Sequence, residues 1–134
     1  MDAPVEFTKQ DWDLIPLVLT VLQPFQDATK MLSYQDASIS LAIPIVTGIM
    51  KSLNVTHDDH GVKTMKRKLM ENMGRRFAGI EEDDDYAVAT LLDCKFKKYF
   101  FRDSGTLERV KEVVIEKIVE DLREEDNSQV KMNL

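Results

Sequence analysis

A chain of 134 residues is long enough to bury one real core, and 43% apolar residues with five glycines and four prolines fit a compact, helix-rich protein rather than a disordered or fibrous one. The formal charge of −6 argues against nucleic-acid binding by bulk electrostatics, because neutralising phosphates takes a basic surface. A single cysteine, Cys94, excludes an internal disulfide, the first residues lack the basic and apolar stretches of a signal peptide, and no apolar run approaches the roughly 20 residues that cross a bilayer, so composition points to an intracellular protein with no membrane partner.

In chain order, Phe7-Thr8-Lys9-Gln10-Asp11-Trp12 reads as a helix start. Thr8 caps, Asp11 returns the bond from the third position, and Phe7 staples onto Trp12. Leu14, Val18, Val21, Phe25, Ala28 and Leu32 then recur at steps of three and four, while Ile15, Leu19 and Leu22 widen the apolar face so that the helix touches neighbours on two sides. Pro16 and Pro24 oppose a straight helix, each at about 3 kcal/mol in an interior position. Both fall on or beside the polar stripe of Asp13, Thr20, Gln23, Asp27 and Lys30, so a long first helix is expected, bent or broken at Pro16 or Pro24.

A second helix is predicted from Ser38 or Ser40 through Ile43, Val46, Ile49 and Leu53, with Pro44 on its polar side. Residues 56–59 (Thr-His-Asp-Asp) offer a cap for a third, whose apolar face is Val62, Met65, Leu69, Met73, Phe77 and Ile80 and whose other face is basic. The acidic run at 81–85 predicts a solvated loop, the most flexible point inside the chain. A short helix follows over residues 86–92, and Phe96, Tyr99, Phe100 and Phe101 call for a core to bury in. After a turn at 102–105, Leu107, Val110, Val114, Ile118 and Leu122 define a last amphipathic helix. The fold class is therefore all-α, an array or bundle of four to six helices, with one domain over residues 1–124 and a frayed tail at 125–134.

The string Asp85-Tyr86-Ala87-Val88-Ala89-Thr90-Leu91-Leu92-Asp93-Cys94-Lys95-Phe96-Lys97 resembles the A-x-x-L-D-P-R-F-K segment of hAT-family transposases and of host proteins with BED-type zinc fingers derived from them. Cys94 stands where that family has proline, and Lys95 where it has arginine. Residues 12–32 are similar to an earlier segment of the same family, W-x-x-I-x-x-x-x-x-V-L-x-P-F-x-x-A-T-x-x-L-S, and the resemblance extends from residue 8 to about residue 101. It implies a piece of the helical insertion that interrupts an RNase H-like catalytic domain, after its second catalytic aspartate and before its final glutamate. The zinc finger, the RNase H strands and the dimerisation segment then lie in other parts of a larger nuclear, DNA-binding parent. The implied partners are the remainder of that parent, DNA and another subunit, and this stretch carries no complete active site, metal or cofactor.

The residues themselves admit sharper chemistry, and each case has a plainer reading. Asp83, Asp84, Asp85 and Asp93 have the residue type of a metal-dependent nuclease, but an acidic loop is usually a solvated surface and Asp93 is placed to stabilise the turn into Lys95. His57, His60 and Cys94 fall short of the four ligands and tight pairs of a structural zinc site, so a buried cysteine and surface histidines are expected. Nothing near Cys94 supplies the base of a thiol nucleophile. Trp12 reads as a core anchor at the helix start, buried with Phe25, Leu91 and Phe96. The substantial basic surface is Lys63, Lys66, Arg67, Lys68, Arg75 and Arg76, with Lys95, Lys97 and Lys98 as a second cluster; phosphate contact is its functional reading and an ordinary solvated helix face its plain one. A free-standing helical module for protein interaction or dimerisation is the alternative from a different class.

Overall fold

A computed structural model describes residues 6–55 and 59–132, and the predicted cap at Thr56, His57 and Asp58 lies outside them. Among the described residues the chain is helical, with α1 at Lys9–Leu32, α2 at Ala42–Ser52, α3 at Lys63–Arg76, α4 at Asp84–Leu92 and α5 at Ser104–Met132. Short 3₁₀ turns occupy Ile39–Leu41 and Lys97–Phe100. The all-α expectation is met.

α1 starts as its sequence dictates. Thr8 Oγ1 accepts the Asp11 amide at 3.2 Å and Asp11 Oδ2 accepts the Thr8 amide at 2.8 Å, closing the capping box. The Phe7 and Trp12 rings sit 5.5 Å apart, the staple at the helix mouth. The helix runs unbroken through both prolines, so the broken alternative is excluded. Pro16 is exposed and Pro24 half-buried, and Thr20 Oγ1 donates to the Pro16 carbonyl at 2.9 Å.

The chain divides into two compact units. The first contains α1, α2 from Ile45 onward and α3, around buried Val21, Ala28, Ile49, Leu53 and Val62. Met65, Leu69, Met70 and Met73 of α3 pack against that core. α3 stops at Arg76, where Phe77 caps it by donating to the Met73 carbonyl, so the predicted face does not continue as helix to Ile80. Its entry turn needs Gly61, whose φ of +83° places it in the left-handed region.

The second unit holds residues 39–44, α4 and α5, around Ile43, Ala87 and Val110, each fully buried. Tyr86, Leu91, Phe100 and Phe101 line this core, and Phe96 meets Phe100 edge to face at 5.5 Å. α2 thus feeds two cores, Ile43 at its start and Ile49 near its end, which a single apolar periodicity does not distinguish. α5 also departs from expectation: it stays helical past Glu125 to Met132.

The acidic run is a turn over 81–83 that passes into α4, with 82–85 exposed as expected and Glu81 buried. Asp83 caps α4 by accepting the Asp85 amide at 3.0 Å, while Asp84 and Asp85 occupy the first turn, where carboxylates complement the helix dipole. Glu81 is 3% exposed and binds Arg102 twice, through the guanidinium Nε at 3.0 Å and through the backbone amide at 3.1 Å. Arg109 bridges the Glu81 carbonyl and Asp84, both at 2.7 Å. Arg102 and Arg109 thus hold Glu81 and Asp84 through four bonds.

Candidate nucleic-acid interface

α3 carries six basic residues and one acid, Glu71. At about 100° per residue, Arg67, Lys68 and Arg75 fall on the side away from the methionines, while Lys63 projects beside Met70 and Arg76 beside Met65; all five are exposed. Lys63, Arg67, Lys68 and Arg76 have no ion-pair partner among the described residues, and Arg75 donates to Asn72.

Lys66 must be removed from the predicted set. It is buried, and its Nζ reaches both Asp59 carboxylate oxygens at 2.9 Å. Its stem crosses the apolar face between Val62, Leu69 and Met70, its neighbours at four, three and four residues. That spacing was visible in the sequence, and it marks Lys66 as a core-facing lysine whose charge demands a partner.

Lys95, Lys97 and Lys98 lie in the second unit and are exposed. Their loop is held by Asp93, which caps the end of α4. Asp93 Oδ2 accepts the Ser40 hydroxyl at 2.7 Å, Oδ1 accepts the Lys95 amide at 2.9 Å, and its carbonyl accepts the Phe96 and Lys97 amides at 3.1 and 3.0 Å. The Ser40 hydroxyl, then the Lys95 amide, hold the Asp93 carboxyl below its ordinary range. Thr90 Oγ1 donates to the Tyr86 carbonyl at 2.8 Å and lies 3.3 Å from the Ser40 carbonyl, tying the same strand of chain to α4. Asp93 is therefore a fastening of the motif that carries the family resemblance.

Two aromatic expectations fail. Trp12 is 62% exposed and Tyr99 76% exposed, whereas Phe25, Leu91 and Phe96 are half-buried. Trp12 needs only Phe7 to close the staple, and the 3₁₀ turn spends its core positions on Phe100, leaving Tyr99 outside. Cys94, expected to be buried, is exposed. No group of three His, Cys, Asp or Glu side chains among the described residues is arranged to hold a metal ion, and no helix of the described residues is long and apolar enough to cross a membrane.

Comparison with known proteins places the chain in company with BED-type zinc finger proteins. It is 31% identical over 93 residues to zinc finger BED domain-containing protein 4 of Homo sapiens, a match covering 69% of this chain and 8% of that protein. Zinc finger BED domain-containing protein 6 is 26% identical over 125 residues in Homo sapiens and 25% identical in Mus musculus, each match covering 85% of this chain and 13% of the relative. The chain is thus related to one short segment of zinc finger BED domain-containing proteins, as the motifs at 12–32 and 85–97 imply. No family model and no solved structure matches it.

Proposed function

We propose that this chain is a non-catalytic helical module of a hAT-transposase-derived, BED-type nuclear protein, and that it contacts DNA phosphates through the exposed cations of α3. The observation carrying this reading is the unpaired state of Lys63, Arg67, Lys68 and Arg76 among the described residues, in a chain where Lys66, Arg102 and Arg109 are all paired with acids. Charge left unneutralised on one helix is available to phosphate, and it works locally despite the acidic total. The absence of chemistry in this segment is part of the proposal. It is supported by the occupation of Glu81, Asp83, Asp84 and Asp93 in caps and ion pairs. The test is anisotropy titration of labelled duplex DNA across a salt series: reversing Arg67, Lys68, Arg75 and Arg76 to glutamate should cost at least about tenfold in affinity and flatten the salt dependence. Duplex binding unchanged by the reversal would overturn it.

A second reading, a protein-interaction or dimerisation module, is favoured by two exposed apolar rows. Trp12, Leu19 and Leu22 run along the outer side of α1, and Ile115, Ile118 and Leu122 along the middle of α5. Sedimentation showing a concentration-dependent dimer that Ile118→Lys dissolves would support it, and a strict monomer would count against the dimer.

A further inference from the structure

The loop at 95–99 combines three features that the phosphate reading of its lysines does not use. Tyr99 is 76% exposed, on a chain whose other aromatic residues of this stretch, Phe96, Phe100 and Phe101, are drawn into packing. Lys97 adopts a φ of 47°, a left-handed conformation that costs a residue with a Cβ about 1–2 kcal/mol. Glycine would adopt that conformation at no such cost, yet the position carries a long cationic side chain. The loop is also rigid at its root, because Asp93 fixes the Lys95 amide by its carboxylate and the Phe96 and Lys97 amides by its carbonyl.

Those same bonds decide what kind of ligand the loop takes. Consecutive amides turned through right- and left-handed conformations can cup an anion, but here the Phe96 and Lys97 amides already donate to Asp93. What remains outward is three ammonium groups and one aromatic face. Lys97 and Lys98 form no ion pair among the described residues, and the charge of Lys95 acts weakly on Asp93. Exposed cations adjacent in sequence to an exposed aromatic ring match a strand whose phosphates and unstacked bases are both accessible; in a duplex the base faces are hidden. Tyr34, 71% exposed, is the useful contrast, for it sits between Ser33 and Gln35-Asp36 with no lysine cluster.

We infer that the loop at residues 95–99 is a binding site for an unpaired nucleic-acid strand, with Tyr99 stacking on a base while Lys95, Lys97 and Lys98 hold the flanking phosphates. Asp93 and the left-handed Lys97 pre-form the loop, so little ordering is left to the moment of binding. The inference deepens the proposed nucleic-acid contact but uses residues separate from α3.

The test is anisotropy with the full chain and labelled short oligothymidylate, oligouridylate and duplex, with unlabelled polyphosphate as a base-free competitor. Tyr99→Ala should weaken single-strand binding by about 5- to 100-fold, Tyr99→Phe should retain it, and Tyr34→Ala should leave it unchanged. Replacing Lys95, Lys97 and Lys98 by alanine should lower the salt slope by about 2, from three contacts at about 0.7 each. Polyphosphate should still bind Tyr99→Ala as it binds the parent chain. The DNA and RNA arms identify which strand is preferred, and stacking on either supports the site. Tyr99→Ala binding as tightly as the parent chain, or weakening polyphosphate equally, would overturn it; so would a duplex preference that depends on these lysines. Charge reversal on α3 separates the two readings: loss of duplex binding with the Tyr99 effect intact, or the converse, tells which has failed.

Discussion

The Ser40 hydroxyl donates to the Asp93 carboxylate at 2.7 Å, joining residues 53 positions apart and fastening the 3₁₀ turn before α2 to the end of α4. Because that bond and the Lys95 amide favour the ionised carboxyl, the Asp93 pKa lies below its ordinary 3.8. A depressed carboxyl stabilises the fold at pH values above 3.8, and that contribution is lost as pH falls through the lowered folded value. Asp11, held by Thr8, and Asp103, held chiefly by the Thr106 amide, act with the same sign. Asp93→Asn should therefore lower the urea midpoint at neutral pH and leave a shallower loss below pH about 4 than in the parent chain. Urea titrations at several pH values check both.

Lys66 and Asp59 form a mostly enclosed pair, with side-chain exposures of 10% and 14%. Lys66→Met leaves the Asp59 carboxylate without this partner and should destabilise the first unit by about 3 kcal/mol. The double variant Lys66→Met with Asp59→Asn should recover most of that loss, since the carboxylate that lost its lysine is then neutral. A double-mutant cycle by chemical denaturation measures the coupling.

Gly61→Ala tests the entry turn of α3. A Cβ at this position would lie 2.8 Å from Leu14 Cδ1, and the φ of +83° is itself unfavourable for alanine. The leucine tip can swing aside, so the backbone dominates and the cost should be about 1–2 kcal/mol. Circular dichroism during urea unfolding checks it.

Trp12 separates a staple from a core anchor. A buried tryptophan cut to alanine costs about 3–5 kcal/mol, but at 62% exposure Trp12→Ala should cost less than about 1 kcal/mol. Phe7→Ala should cost a similar amount, and the double variant little more, because either change opens the same ring contact.

Where interactions are local in sequence, the residues can be read directly. Thr8 and Asp11 are three apart, so their reciprocal cap is written in the chain, and the same holds for the step pattern of α3. Lys66 was legible too, because its neighbours at three and four residues are apolar, but counting charges along a basic run hides its facing. Glu81 was not legible: its partners Arg102 and Arg109 are 21 and 28 residues away, and an acidic run looks alike whether it is solvated or fastened. In the candidate interface, the lysines at 95, 97 and 98 are visible as charges, while the outward face of Tyr99 is set by which aromatic ring fills the core.

The sequence by itself determined the all-α class, the start of α1, the amphipathic α5 and the relation to BED-type zinc finger proteins, because helix periods, caps and motifs act over a few residues. Only the tertiary structure decided that α2 serves two cores, that Lys66 and Glu81 are buried in ion pairs, and that Trp12, Cys94 and Tyr99 face out. Those outcomes depend on which distant groups compete for the same interior volume and the same carboxylates, and local sequence carries no record of that competition.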